Sequence, residues 1–263
     1  MTTEQLLGIR DTEIAVQQAG TGTDLVLVHG FQNDHTAWDP FVERLDLDRF
    51  RVTTFDLVGC GSSGGASTWE RCTIDEYAAD LVAICDHLGL EAPIGIGHSL
   101  GGATVLQTAL TWPHRLRALV LVAPASTSGL DFVPDDAAFD VLVHPTPEQQ
   151  RQLALAAFRH PPRGADLDAL LGVIARARPE HIEGAARAMR GFERQGHLGA
   201  LALPVLLVCG DRDRHVPLRN HLATQQAIPR CGLQVWADVG HVPVVEVADD
   251  FAAVVGRFLA GLS

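Results

Sequence analysis

No cluster of Lys or Arg interrupts the acidic balance of this 263-residue chain, in which 20 basic residues face 32 acidic ones for a formal charge of −12 at pH 7. Without a basic stripe there is no footprint for a phosphate backbone, which excludes nucleic acid as a partner. The same sign disfavours an anionic membrane surface and anionic substrates at large, so a neutral small-molecule substrate is the expected partner. Long hydrophobic runs are missing too. The longest, at 118–123 and 203–209, fall well short of the roughly 20 residues a bilayer span needs. Residues 1–5 show no basic stretch leading into an apolar one, so no secretory signal is read there and a cytoplasmic location is expected. The five cysteines form no C-x-x-C pair and are expected to be reduced core thiols. The twelve histidines contain no H-E-x-x-H or similar grouping, so neither a metal nor another cofactor is expected. Oligomeric state is left open.

What is there is enough apolar sequence, 47% of residues, to bury a real core. At this length one α/β domain carrying an insertion is expected rather than two independent units. Short β-branched runs at 13–17, 25–29, 52–56, 94–97, 116–122, 205–209 and 233–236 alternate with amphipathic stretches at 38–44, 73–88, 100–111 and 249–259, the pattern of βαβ units on a parallel sheet. Thr73 with Glu76 three residues on reads as a helix N-cap. Between the strand ending near Val122 and the one starting at Pro204 lie about eighty residues without a strand-like run, too many for a structureless loop. Helical spacing at 147–158, 165–177 and 180–192, broken by Pro161-Pro162 and Pro179, predicts a helical insertion. The alternative is a set of ordinary crossover helices on the sheet.

The sharpest local signal is Gly97-His98-Ser99-Leu100-Gly101, a G-x-S-x-G between a predicted strand and a predicted helix. A serine on so sharp a turn leaves no room for side chains two positions before and after it. The turn lifts Ser99 Oγ into the open and sets the Leu100 amide at a helix N-terminus facing the same space.

On these residues the chain resembles the α/β-hydrolase family, and further landmarks follow over nearly the whole length in the family's order of nucleophile, acid and histidine. The resemblance implies an α/β fold with a mostly parallel sheet flanked by helices and a helical cap inserted after the sixth strand. It divides the chain into a core of 1–124 and 203–263 and a cap of 125–202. Val26-Leu27-Val28-His29-Gly30-Phe31 is similar to the family's strand and His-Gly turn, which implies Phe31 N–H and Leu100 N–H as the oxyanion hole. Phe55-Asp56-Leu57-Val58-Gly59-Cys60-Gly61-Ser62-Ser63 is similar to its D-x-x-G-x-G-x-S turn, with Asp56 a scaffold residue. Gly210-Asp211-Arg212-Asp213-Arg214-His215-Val216-Pro217 resembles its acid loop, implying Asp213 as the triad acid with Asp211 as rival. Val239-Gly240-His241 matches its last turn, implying His241 as the base. His215 is read as a surface or supporting residue.

Ser99, where related enzymes carry Asp, points to acyl chemistry. The expectation is a serine hydrolase with a Ser-His-Asp triad, Ser99, His241 and Asp213, cleaving a carboxylic ester, lactone or thioester of a small to medium, fairly apolar substrate. Trp38, Phe132, Phe139, Phe158, Met189 and Phe192 are the candidate substrate-binding residues. Two alternatives stay open. One is a C–C bond hydrolase of meta-cleavage type, for which the arginines of the insertion would hold a carboxylate; the other is a ligand-binding signalling protein with slow turnover.

Overall fold

The computed structural model describes residues 3–129 and 135–262. In chain order its strands and α-helices are β1 (Thr3–Ile9), β2 (Thr12–Gly20), β3 (Thr23–Val28), α1 (Asp39–Val42), β4 (Phe50–Phe55), α2 (Ile74–Leu88), β5 (Ile94–His98), α3 (Leu100–Thr111), β6 (Ala118–Val122), α4 (Asp136–Val143), α5 (Pro147–Ala156), α6 (Ala165–Ile174), α7 (Pro179–Arg190), β7 (Val205–Gly210), α8 (Leu218–Ala227), β8 (Cys231–Trp236), α9 (Pro243–Glu246) and α10 (Ala248–Ala260). The eight strands form one sheet in the order β1-β2-β4-β3-β5-β6-β7-β8, parallel from β4 to β8 and antiparallel at the β1–β2 and β2–β4 pairs. The fold is therefore the expected α/β one, with a mostly parallel sheet flanked by helices.

Both faces of the sheet are covered, which explains the unbroken apolar strands. In β3, Val26 and Val28 point into the core shared with α2 and α3, while Leu25 and Leu27 point into the one shared with Trp38, Phe41 and α10. Strand β5 sends Ile94 and Ile96 to the second core and keeps glycine on the α3 face. A Cβ on Gly95 would sit 3.3 Å from Val105, so the glycines let α3 ride close on the sheet.

Strand β1 has no counterpart in the sequence reading. Its TEQLLGI sequence lacks β-branched density, and the tight turn to β2 carries no Asn-Gly or Asp-Gly; Arg10 itself takes the left-handed conformation, at φ 55°. Helix α8, with the polar sequence LRNHLATQQA, has no apolar stripe to read, and α4 has only eight residues. Between β6 and β7 the chain forms α4 to α7 and a closing 3-10 turn at Gln195–Ala200, with α5, α6 and α7 on the three stretches of helical spacing. The insertion does not stand apart from the core, since Ala185, Ala186 and Met189 of α7 belong to the same cluster as Tyr77 and Leu81 of α2.

Candidate active site

Ser99 follows directly on β5 with φ 52° and ψ −113°, a conformation L-residues rarely take. Main-chain bonds hold it there: Ser99 N–H donates to Val122 O at 3.0 Å, and Ser99 O accepts from Ala103 at 3.1 Å and Ala125 at 2.9 Å. The flanking glycines are sterically required. A Cβ on Gly97 would overlap the Gly101 carbonyl, and one on Gly101 would overlap the carbonyl of Val28. Leu100 is the first residue of α3, so its N–H has no acceptor within the helix and lies at the positive end of the helix dipole.

Beside it runs the turn after β3. The His29 ring is fully buried; its Nδ1–H donates to Gly30 O at 2.8 Å, and its Nε2 accepts from Leu57 N–H at 3.0 Å, which fixes the tautomer. Gly30 is needed because a Cβ there would lie 2.9 Å from His98 Nδ1. Asp56 supports the turn from below, accepting at Oδ1 from the main chain and ring of His35 at 2.8 and 2.7 Å and at Oδ2 from Ser62 N–H at 2.7 Å. Burial opposes its charge, but these donors prevail and hold the carboxyl below its ordinary range.

The loops after β7 and β8 bring Asp213 and His241 together. His241 Nδ1–H donates to Asp213 Oδ2 at 2.7 Å, and Asp213 Oδ1 accepts the N–H groups of His215 and Val216 at 2.8 and 2.9 Å. His221 adds a longer contact to Oδ2, at 3.4 Å. Although burial penalises this carboxylate, His241 and His221 more than compensate, and its pKa lies well below the usual carboxylate range. Asp211 is turned elsewhere, accepting Asp238 N–H at 2.7 Å. His98 braces His241 from the serine turn, donating Nε2–H to His241 O at 2.9 Å with ring centroids 5.0 Å apart. Burial, and then His241, push its pKa down to about 3, so it stays neutral.

A cavity of about 280 Å³ opens onto these groups. Ser99, His241, Gly30 and Phe31 line it from the carboxyl ends of the strands, and α4 to α7 cover it with residues such as Leu142, Leu153, Leu170 and Ile174. Ser99 and His241 thus face one space, though no hydrogen bond joins them among the described residues; such contacts often tighten only around a substrate. Of the residues expected to bind substrate, Trp38, Phe158 and Met189 line the cavity. Phe139 and Phe192 do not, which corrects that expectation. Phe139 lies under the Arg187 and Arg190 guanidinium groups at 5.5 and 5.2 Å, and Phe192 is 2% exposed in the core with Arg194 over its ring. Phe132 falls outside the described residues. His215, read as a supporting residue, also lines the cavity, with its ring 5.0 Å from that of His241 and its pKa pushed down to about 4 by burial and by His241. Its position in the acid loop was the only available sign.

Among the described residues no Arg, Asp or Glu side chain lines this cavity. Several arginines of the insertion are engaged elsewhere: Arg159 with Asp238, Arg176 with Asp34, Arg187 with Glu183 and Arg190 with Asp136.

A sequence profile of the alpha/beta hydrolase fold matches residues 24–247. The chain belongs to this family. Its relatives include esterases and hydrolases. The pimeloyl-(acyl-carrier protein) methyl ester esterase of Aliivibrio salmonicida (strain LFI1238) is 28% identical over 94% of this chain and 96% of its own length. A 2-hydroxy-6-oxononadienedioate/2-hydroxy-6-oxononatrienedioate hydrolase of a Pseudomonas species is 29% identical, over 94% and 92%. Among solved structures, a thermophilic esterase from Thermogutta terrifontis superposes with a TM-score of 0.86 at 25% identity, covering 99% of both chains. No helix among the described residues of this family member is long and apolar enough to cross a membrane.

Proposed function

We propose that this α/β-hydrolase is a serine hydrolase of uncharged carboxylic esters, lactones or thioesters, working through an acyl-enzyme on Ser99. The observation that carries the reading is the Asp213–His241 couple, which opens on the same cavity as a serine held on a strained strand-to-helix turn. A serine hydroxyl needs a base, and the base needs an orienting acid. Ser99 Oγ attacks the carbonyl carbon and gives its proton to His241 Nε2. Ionised Asp213 keeps the imidazole in the right tautomer and stabilises the imidazolium. The Phe31 and Leu100 N–H groups hold the oxyanion, each worth about 3 kcal/mol of barrier. Collapse of the intermediate expels the alcohol or thiol, protonated by His241, and a water activated by the same ring hydrolyses the acyl-enzyme.

The insertion acts as a cap that closes an apolar chamber over the serine and selects the substrate. The pairing of Arg159, Arg176, Arg187 and Arg190 with acids outside the cavity, and the lack of an arginine among the described residues that line it, favour a neutral ester over a ring-fission product, whose carboxylate would need a cation in the chamber. Turnover of a neutral aryl ester series beside a vinylogous diketo acid tests this. Neutral esters should be preferred by about a hundredfold or more, since a carboxylate buried without a cation costs several kcal/mol. Preference for the acid would favour C–C cleavage, and single-turnover binding without steady hydrolysis would favour a signalling role.

A further inference from the structure

The loop that carries His241 is held by a carboxylate five residues further along the chain. Glu246, at the end of α9, directs Oε1 at the Gly240 and Val242 N–H groups, at 3.0 and 3.4 Å, one on each side of His241. Its Oε2 accepts from Arg159 and His160 N–H, at 2.8 and 3.1 Å, where the chain leaves α5 toward Pro161. His241 itself donates its main-chain N–H to Ala157 O at 2.7 Å. The two segments pack so tightly that a Cβ on Gly240 would lie 2.6 Å from Arg159 N and 2.7 Å from Ala157 O. A further link runs through Asp238, which pairs with Arg159 Nε at 2.6 Å and His160 Nε2 at 2.9 Å.

We propose that Glu246 is a positioning residue for the His241 base, its carboxylate tying the seating of the helical insertion to the orientation of that base. The proposal rests on His241 acting as base, as argued above, and adds that the insertion sets the base as well as walling the chamber. Each carboxylate oxygen serves one partner segment, and four main-chain donors converge on an acceptor-only group. No neutral side chain of this length can do the same. Glutamine offers one carbonyl oxygen and would turn its NH₂ against the remaining pair of donors, so Glu246→Gln retains one segment and releases the other. A shift of the His241 ring by a fraction of an ångström slows proton transfer from Ser99 while leaving the apolar chamber to bind substrate.

The test compares wild type and Glu246→Gln in three readouts: kcat and KM for a neutral aryl ester, the rate at which a fluorophosphonate labels Ser99, and the low-field proton resonance of His241 Nδ1–H, assigned by its loss in His241→Ala. The expected result is a fall of about tenfold or more in kcat and in labelling rate, with KM changed by less than about twofold, and a shifted or broadened low-field resonance in a protein that still folds. Unchanged kcat, labelling and resonance overturn the proposal. Should wild-type Ser99 not label, the hydrolase reading fails, and the resonance alone decides the coupling. Hydrogen exchange of the wild-type protein needs no variant: the amides of Arg159, His160, Gly240 and Val242 should exchange through one shared opening with a common denaturant dependence. Independent openings for the two segments would contradict the link even if Glu246→Gln failed to fold.

Discussion

The carboxylate of Asp213 is divided between two tasks, one oxygen receiving the Nδ1–H of His241 at 2.7 Å and the other receiving the main-chain N–H groups of His215 and Val216. The second set of bonds fixes the plane of the carboxylate, so the first can fix the imidazole. Two residues earlier, Asp211 accepts from Asp238 N–H and makes no such contact with His241.

Exchanging these two acids for their amides should therefore have unequal effects. Asp213→Asn is expected to lower kcat/KM for a neutral ester by about a thousandfold or more, since an amide presents the wrong partner to His241. Asp211→Asn should remain within about tenfold of wild type, as expected for loosening a loop. Steady-state kinetics on the two variants checks this, and the reverse ranking would move the acid to Asp211.

Motifs confined to a few consecutive residues were legible because local sterics enforce them. The glycines around Ser99 and the turn at Gly30 admit no side chain, and the short β-branched apolar runs of β3, β6 and β7 suit strands buried on both faces. The lining of the chamber was less legible. Phe192 ends a stretch of helical spacing just as Phe158 does, Phe139 lies in a helix too short to read, and only the packing of the insertion on the core decides which of them face the cavity. The Glu246 bonds were unreadable for a related reason. Two of the four reach residues 86 and 87 positions away, all four are to main-chain N–H groups, and main-chain donors leave no mark in a sequence.

The difference between the two kinds of phenylalanine is testable. Phe158→Ala should enlarge the chamber and shift the preference of kcat/KM toward longer or bulkier acyl groups. Phe139→Ala removes only a ring beneath two arginines and should leave the acyl-length profile unchanged. A profile that moves with Phe139 and stays put with Phe158 would place the substrate elsewhere.

Acid should destabilise the protein well above the carboxylate range. His98 and His181 are buried, and burial pushes both pKa values down to about 3 from an ordinary 6.5. Below pH 6.5 the unfolded chain takes up protons that the folded one does not, so stability falls as pH falls. Each such histidine contributes up to about 1.4 kcal/mol per pH unit. His35 has the opposite sign, its pKa being raised chiefly by its bond to Asp56, and it offsets part of the slope. The stabilisation from ionised Asp213 is lost only as pH falls below the ordinary carboxylate value of 3.8, while Asp39 and Asp80, whose carboxyls burial pushes up, take protons earlier in the folded protein and, like His35, offset part of the histidine slope. Urea unfolding between pH 6 and 4 should show a shallower pH dependence in His181→Gln than in wild type. An equal or steeper slope would mean that His181 is protonated in the folded protein.

The central claim is that Ser99 is an activated nucleophile, and the most direct measurement is the intact mass of the protein after brief exposure to a fluorophosphonate, wild type beside Ser99→Ala. The account predicts one adduct on wild type, none on the variant, and an ester hydrolysis rate in Ser99→Ala lower by about three orders of magnitude with the fold intact. A folded wild type that takes no adduct, or a Ser99→Ala protein that labels and turns over as before, would contradict it.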